Sequence, residues 1–264
     1  MYKLVAIDID DTLLTDDMKI TAKTRRALEQ AIGQGVIVTL ATGRMYASAK
    51  LIAGQLALNV PIITYQGSLV KKLLDEQVIY ERSVPEMEAR MIFEYAKEHG
   101  LHLQAYHNDI LLVKEDNRKI KHYAKLLNIP YTVVPDFDKW ASKPLTKLLI
   151  IDDPDRLDEI KHELTAVLGG NVHLTKSKPN YLEFLHPEGT KGHAVRYLAD
   201  HFGIGIDQVI AIGDSWNDRE MLEAAGLGVA MGNAIPALKE IADYVTLSNN
   251  DEGVTHVFEK FVLA

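Results

Sequence analysis

Leu4-Val5-Ala6-Ile7-Asp8-Ile9-Asp10-Asp11-Thr12-Leu13 joins a run of four apolar residues to three acids within four positions. The apolar run reads as a strand buried on both faces, as in a parallel sheet. The acids follow at its carboxyl end, where open α/β sheets bind their ligands. Residues two apart in extended chain point the same way, so Asp8 and Asp10 face one site. Two carboxylates that close repel each other and raise one pKa unless a cation intervenes. A hard cation such as Mg²⁺ takes oxygen ligands and removes the conflict. Asp11 is read as a solvated or capping residue.

Similar apolar, β-branched runs recur at Val36–Leu40, Pro61–Thr64, Val209–Ile212, Leu227–Met231 and Tyr244–Thr246. Helical patterns lie between them: from an N-cap at Thr21 to about Ile32, over 46–57, from Lys191 to Phe202, and from Trp216 to about Ala225. Strand alternating with helix predicts a doubly wound, mostly parallel, Rossmann-like α/β sheet. The middle of the chain differs. Strand candidates at 102–106, 110–113, 146–151, 172–174 and 181–185, with helices over 86–99, 117–127 and 155–167, suggest an antiparallel sheet with one face covered by helices. The expected organisation is a discontinuous core of residues 1–83 and 188–264, with an inserted α+β domain over 84–187.

Three further polar clusters follow core strands. Thr42-Gly43-Arg44 offers a hydroxyl, a small turn and a guanidinium that together can hold an oxyanion. Lys191 opens a helix, where a cation opposes the helix dipole, so its charge is free to face a phosphate or a carboxylate. Gly213-Asp214-Ser215-Trp216-Asn217-Asp218 places two more carboxylates and an amide at a strand end, more than one helix cap needs. Several carboxylates, one lysine, one hydroxyl and an amide suit a Mg²⁺-bound phosphoryl group.

In this order and spacing, Asp8-x-Asp10-x-Thr12, Thr42-Gly43-Arg44, Lys191 and Gly213-Asp214-x-x-Asn217-Asp218 resemble the haloacid dehalogenase superfamily. The spacing is similar to its Cof-type sugar phosphatases, whose large α+β cap lies between the second and third motifs. The resemblance spans essentially the whole chain and includes Met231-Gly232-Asn233-Ala234 and Asn249–Val254. It implies Asp8 as the nucleophile, forming an aspartyl-phosphate and binding Mg²⁺, and Asp10 as general acid/base with its backbone carbonyl on the metal. It implies Asp214 as the remaining protein ligand. Thr42, the backbone of Ile9 and Gly43, Lys191 and Asn217 would hold phosphoryl oxygens. Arg44 would support them, and Asp218 would bind metal through water or orient Lys191. Relatives carry Asn-Gly where this chain has Gln66-Gly67, beside the substrate. Polar turns at His107-Asn108-Asp109 and Lys176–Asn180 offer further specificity candidates, notably His107, Asn108 and Lys178.

The expected activity is Mg²⁺-dependent hydrolysis of small phosphorylated metabolites, sugar phosphates first among them. A phosphomutase sharing the nucleophile and a receiver-like phosphorylation switch are the alternatives. Receiver domains are about half this length and carry their acceptor on a later strand. Lys plus Arg is 29 against 37 Asp plus Glu, a net charge of −8 that argues against nucleic-acid binding. With no cysteine in the chain, disulfides, thiolate metal sites and cysteine nucleophiles are excluded. No apolar run has the roughly 18 residues of a membrane span, and a strand begins too early for a signal peptide. A soluble cytoplasmic protein with a small-molecule partner is the expectation, its oligomeric state open.

Overall fold

A computed structural model describes residues 1–56 and 60–264. The first elements are β1 (Leu4–Ile7), α1 (Ala22–Gly33), β2 (Ile37–Leu40), α2 (Tyr46–Gln55), β3 (Ile62–Thr64), β4 (Leu69–Lys71) and β5 (Val78–Glu81). The middle supplies α3 (Glu86–Glu98), β6 (His102–His107), β7 (Ile110–Val113), α4 (Arg118–Leu127), β8 (Thr132–Val133), β9 (Lys147–Ile151), α5 (Pro154–Leu168), β10 (His173–Thr175) and β11 (Tyr181–Leu185). The last stretch adds α6 (Lys191–His201), β12 (Val209–Gly213), α7 (Arg219–Ala224), β13 (Leu227–Ala230), α8 (Pro236–Ile241), β14 (Tyr244–Val245) and α9 (Gly253–Phe261). The helix expected over 46–57 starts at Tyr46, and its expected last residue, Ala57, lies outside the described residues.

The fold is α/β. Five parallel strands form a sheet in the order β14-β13-β12-β1-β2. Leu4 is in register with both Val209 and Ile37, and all four residues of β1 are fully buried. Burial on both faces explains why these strands read as unbroken apolar runs. Since β1 lies between β2 and β12, the three chain segments leaving their carboxyl ends emerge side by side. Those segments carry Asp8, Thr42 and Asp214.

The Pro61–Thr64 run departs from the expectation of another parallel core strand. Its β3 pairs antiparallel with β4, and β4 with β5, in a separate three-stranded sheet. It meets the core sheet through one parallel bridge, Ala41 to Ile63, and through the Thr42 N–H donating to the Ile63 carbonyl at 3.0 Å. The cause is local: Tyr65 and Gln66 both adopt positive φ (52° and 60°) and reverse the chain at once. Gly67 follows at φ 107°, where a Cβ would overlap the main chain at Thr190.

The middle strands form a six-stranded sheet, β10-β11-β9-β6-β7-β8, antiparallel except for β7 with β8. Side chains alternate across it. Leu103, Ala105, Leu148, Ile150, Leu182 and Phe184 bury against residues of α3 and α5. The opposite set, including Tyr106, Leu149, Ile151 and Tyr181, joins Ile120 and Tyr123 of α4 in one apolar cluster with the core strands. The expectation of a single covered face is thus corrected: the second face is buried too, which is why β9 reads Leu-Leu-Ile-Ile.

Candidate active site

After β1 the chain turns without delay. The Asp8 N–H donates to the Ile212 carbonyl at 3.0 Å, tying the end of β1 to β12. Asp10 stays extended (φ −77°, ψ 131°) while Asp11 turns to φ 59°, a conformation that aspartate tolerates. The Asn233 side chain pins this turn by donating to the Asp11 carbonyl at 2.7 Å.

Asp8 is buried, and the fully buried Lys191 ammonium donates to it at 2.5 Å and to Asp218 at 2.6 Å. Lys191 is the first residue of α6, capped by the Thr190 hydroxyl, which accepts from the His193 N–H. Burial pushes the Asp8 carboxyl well up, an effect that Lys191 opposes and that Asp218, Asp214 and Asp10 reinforce. Burial alone would lower Lys191, but Asp218 and Asp8 outweigh it and its pKa is raised. The other Asp218 oxygen accepts from the Asp214 N–H at 2.9 Å and the Ser215 N–H at 3.0 Å, which fixes the turn after β12. Thr12 donates to Asp214 at 2.9 Å. Burial and then the Asp218 charge push Asp214 up to about 7.

Asp8, Asp10 and Asp214 lie around one cleft, with the Asp10 side chain engaged separately. Among the described residues the oxygens that gather within 4.8 Å of one another belong to Asp8, Asp214 and Asp218. The Asp10 side chain is held by Arg44, which donates to its two oxygens from Nε at 2.8 Å and from Nη2 at 2.6 Å. The Arg44 guanidinium is steadied further by the Ser48 hydroxyl at 3.1 Å.

A cleft lies over these groups. Asp8, Asp10, Thr42, Gly43, Arg44, Lys178, Asp214 and Asn217 line it. Lys191 and Asp218 sit behind Asp8, with no exposed surface. Ile9 is buried in the core, so only its main chain can serve the cleft. Gln66 is buried beside it and accepts from the Asn217 amide at 2.9 Å. His107 and Asn108 make their contacts within the inserted part. His107 bonds the Pro144 carbonyl at 2.7 Å and stacks edge-on with Trp140, while Asn108 bonds His107. It is the third residue of that turn, Asp109, that reaches the core, accepting from the N–H groups of Tyr46 and Ala47 at the start of α2 and from the Tyr65 hydroxyl.

The donor set fits a hard divalent cation. Asp8, Asp10, Asp214 and Asp218 carry four negative charges against the two cations Lys191 and Arg44, leaving a formal −2. The carboxylates of Asp8 and Asp214 are both destabilised as anions by burial and by each other's neighbours. Asp218 already accepts from Lys191 and two N–H groups, whereas Asp8 accepts from Lys191 and Asp214 from Thr12.

A family model for haloacid dehalogenase-like hydrolases matches residues 5–258. The chain belongs to that family. A Streptococcus pyogenes serotype M6 protein named a "putative phosphatase" is 37% identical, with 99% of this chain and 98% of that one aligned. A 5-amino-6-(5-phospho-D-ribitylamino)uracil phosphatase of Bacillus subtilis is 28% identical over 98% of this chain and 97% of its own. A crystal structure of a Thermotoga maritima protein superposes with a TM-score of 0.85 at 39% identity, covering 99% of this chain and 98% of that one. This haloacid dehalogenase-like hydrolase is therefore an enzyme with phosphatases among its relatives. No helix among its described residues is long and apolar enough to cross a membrane.

Sequence reasoning missed two residues of this hydrolase. Lys147 of β9 and Glu183 of β11, neighbouring strands of the inserted sheet, form a buried ion pair at 3.0 Å. Lys147 also donates to the Gly43 carbonyl at 2.9 Å, and the Gln66 amide donates to Glu183. A chain of contacts thus runs Asn217–Gln66–Glu183–Lys147–Gly43. Burial alone would lower Lys147, but Glu183 outweighs it and the pKa is raised. The signal was present: each is a single charge within an otherwise apolar strand, Lys-Leu-Leu-Ile-Ile and Tyr-Leu-Glu-Phe-Leu.

Proposed function

We propose that this hydrolase is a Mg²⁺-dependent phosphatase that cleaves small phosphorylated metabolites through an aspartyl-phosphate on Asp8. The observation that carries the reading is the Asp8 carboxylate at the end of the central strand, beside Asp214 and 2.5 Å from the Lys191 ammonium. In this reading residues 84–187 are a cap over a core of 1–83 and 188–264. Sugar phosphates are the substrates that the motif pattern suggests. The Bacillus subtilis relative's substrate, by its name, joins a phosphoribityl chain to a uracil, so the class is drawn as phosphomonoesters of small metabolites.

Asp8, Asp214 and the main-chain carbonyl of Asp10 would hold Mg²⁺, which when bound supplies positive charge to the phosphoryl oxygens. Lys191 adds a second cation, and the Thr42 hydroxyl, the Asn217 amide and the main-chain N–H groups of Ile9 and Gly43 orient the group. An Asp8 oxygen attacks phosphorus as the ester P–O bond breaks. Asp10, released from Arg44 in its acid form, gives its proton to the departing alkoxide. It then takes a proton from the water that attacks phosphorus and frees the Asp8 carboxylate. Asp218 keeps Lys191 in place.

The test is phosphate release from a panel of phosphomonoesters, with and without EDTA. Chelation and Asp8→Asn are each expected to abolish release. Asp10→Asn should slow turnover by about 10²–10⁴-fold, the usual share of general acid–base catalysis. Full activity of Asp8→Asn overturns the covalent route. Isomerised sugar phosphate with little free phosphate would make the enzyme a mutase.

A further inference from the structure

Helix α2 begins directly after the Thr42-Gly43-Arg44 turn and carries no cap of its own. Its N-cap residue is Met45, whose side chain makes no capping hydrogen bond. The first N–H groups of a helix have no intrahelical partner. Here the partner comes from 63 residues away in sequence. One Asp109 oxygen accepts from the Tyr46 N–H and the other from the Ala47 N–H, both at 2.9 Å. A carboxylate also suits the positive end of the helix dipole. Asp109 reaches that end from the turn between β6 and β7. Asn108 and Asp109 both take positive φ there (49° and 61°), between the paired residues His107 and Ile110. Two-residue hairpin loops are tight, so the inserted sheet behind this one sets where the carboxylate points.

The same carboxylate has a second hold on the core. It accepts from the Tyr65 hydroxyl at 2.6 Å, and the Tyr65 N–H donates to the Arg44 carbonyl at 3.0 Å. Burial pushes the Asp109 carboxyl up, and the Tyr65 hydroxyl and the two N–H groups act against it. These holds converge on Arg44. Its carbonyl is fixed through Tyr65, and the chain just beyond it through Tyr46 and Ala47. Its Nη1 donates to the Ser48 hydroxyl in the first turn of α2 at 3.1 Å. The other edge of the guanidinium is the fork on Asp10. Thr42 and Gly43 are anchored without Asp109: the Thr42 main chain bonds Ile63 and Gln66, and the Gly43 carbonyl accepts from Lys147. The turn after β2 therefore has two separately supported parts, Thr42-Gly43 and Arg44.

We infer that Asp109 is a positioning residue for Asp10, acting through the start of α2 and the Arg44 fork. The inference rests on the acid/base role given to Asp10 above. Asp109 does not touch the reacting atoms. It keeps Arg44 where the guanidinium receives the Asp10 carboxylate, and so keeps Asp10 within reach of the ester oxygen that takes its proton as the P–O bond breaks.

Two esters separate this role from a general loss of structure. The alkoxide of an alkyl phosphate needs a proton to leave, whereas 4-nitrophenolate leaves without one. The alkyl ester is the one turned over fastest in the phosphate-release panel. The readout is the maximal single-turnover rate of leaving-group release by the Mg²⁺-loaded enzyme, which isolates the step that phosphorylates Asp8. Asp109→Gly suits φ 61° and removes the carboxylate. It is expected to slow alcohol release about tenfold or more, a part of the roughly 10²–10⁴-fold share of general acid–base catalysis, while 4-nitrophenol release changes by less than about twofold. Asp109→Asn, which keeps one acceptor oxygen, should recover part of the loss, and Asp10→Asn should show the same selectivity between the esters. Should Asp109→Gly fail to fold, Asp109→Asn on the same two esters decides. Equal slowing of both esters by the Asp109 variants, or slowing of neither, overturns this inference and leaves the phosphatase reading standing. Equal slowing of both by Asp10→Asn removes the acid role and this inference with it. A wild-type protein that hydrolyses no alkyl ester overturns the phosphatase reading as well.

Discussion

At the scale of single residues the site is governed by how much charge is kept out of water. Lys191 is the clearest case, an ammonium without exposed surface between two buried carboxylates. Replacing one partner of such a group leaves uncompensated charge in the interior, a loss of about 3–5 kcal/mol. Lys191→Met is therefore expected to lower the urea midpoint of unfolding as well as to stop turnover. An unchanged midpoint would show that Asp8 and Asp218 do not depend on it for their burial. Sequence spacing was enough to single out Asp8, Asp214, Lys191 and Asn217, because each stands just after a strand or at a helix start where the chain must bring it to the sheet's carboxyl edge. Spacing could not say that Asp10 would be turned toward Arg44. A side chain's direction there depends on a guanidinium 34 residues away in sequence, and no local rule encodes that distance. The contacts of His107 and Asn108 were illegible for a related reason: a polar turn between strands looks the same whether it faces substrate, solvent or a neighbouring tryptophan.

At the scale of elements, the contact between β9, β11 and the turn after β2 depends on Lys147 and Glu183. Lys147→Met alone should cost about 3–5 kcal/mol, since Glu183 is left charged and buried. The double variant Lys147→Met, Glu183→Leu should recover much of that loss, because removing both charges also removes the desolvation they carry. Urea unfolding of the four proteins of the cycle measures the coupling; additive losses would mean that the two side chains do not work as a pair. Most elements were legible because periodicity marks them, as with α1 starting at its Thr21 cap and β12 following its Val-Ile-Ala-Ile run. The misjudged ones are those whose partners decide their role. Ile62–Thr64 has the composition of a core strand, yet two residues of positive φ just beyond it fold it onto β4. The two-residue β8 is too short to leave any pattern.

At the scale of the whole molecule, acid should act through the inserted part before it reaches the core. His102 on β6 is buried, both ring nitrogens face the side-chain amides of Gln104 and Asn117, and its pKa falls to about 4. Burial is the main cause; Lys119 adds to it, while Glu115 and Asp152 oppose it. Against the ordinary value of 6.5, the folded chain binds fewer protons than the unfolded one between about pH 6.5 and 4. Stability is thus lost as pH falls through that window, by up to about 3 kcal/mol at about 1.36 kcal/mol per pKa unit. Unfolding followed from pH 7.5 down to 4.5 should show this slope, and His102→Gln should flatten it; equal slopes in the two proteins would remove His102 as its source.

The turn at Tyr65–Gly67 has one more effect, felt at the margins of the central sheet. Strand edges left bare invite another chain to add itself. Here one margin ends in β14, only two residues long, and the other, β2, is screened where Thr39, Ala41 and Thr42 reach the segment Pro61–Ile63. The same reversal that carries Gln66 to Asn217 lays that screen down, so loosening it would blunt the pocket and bare an adhesive border together.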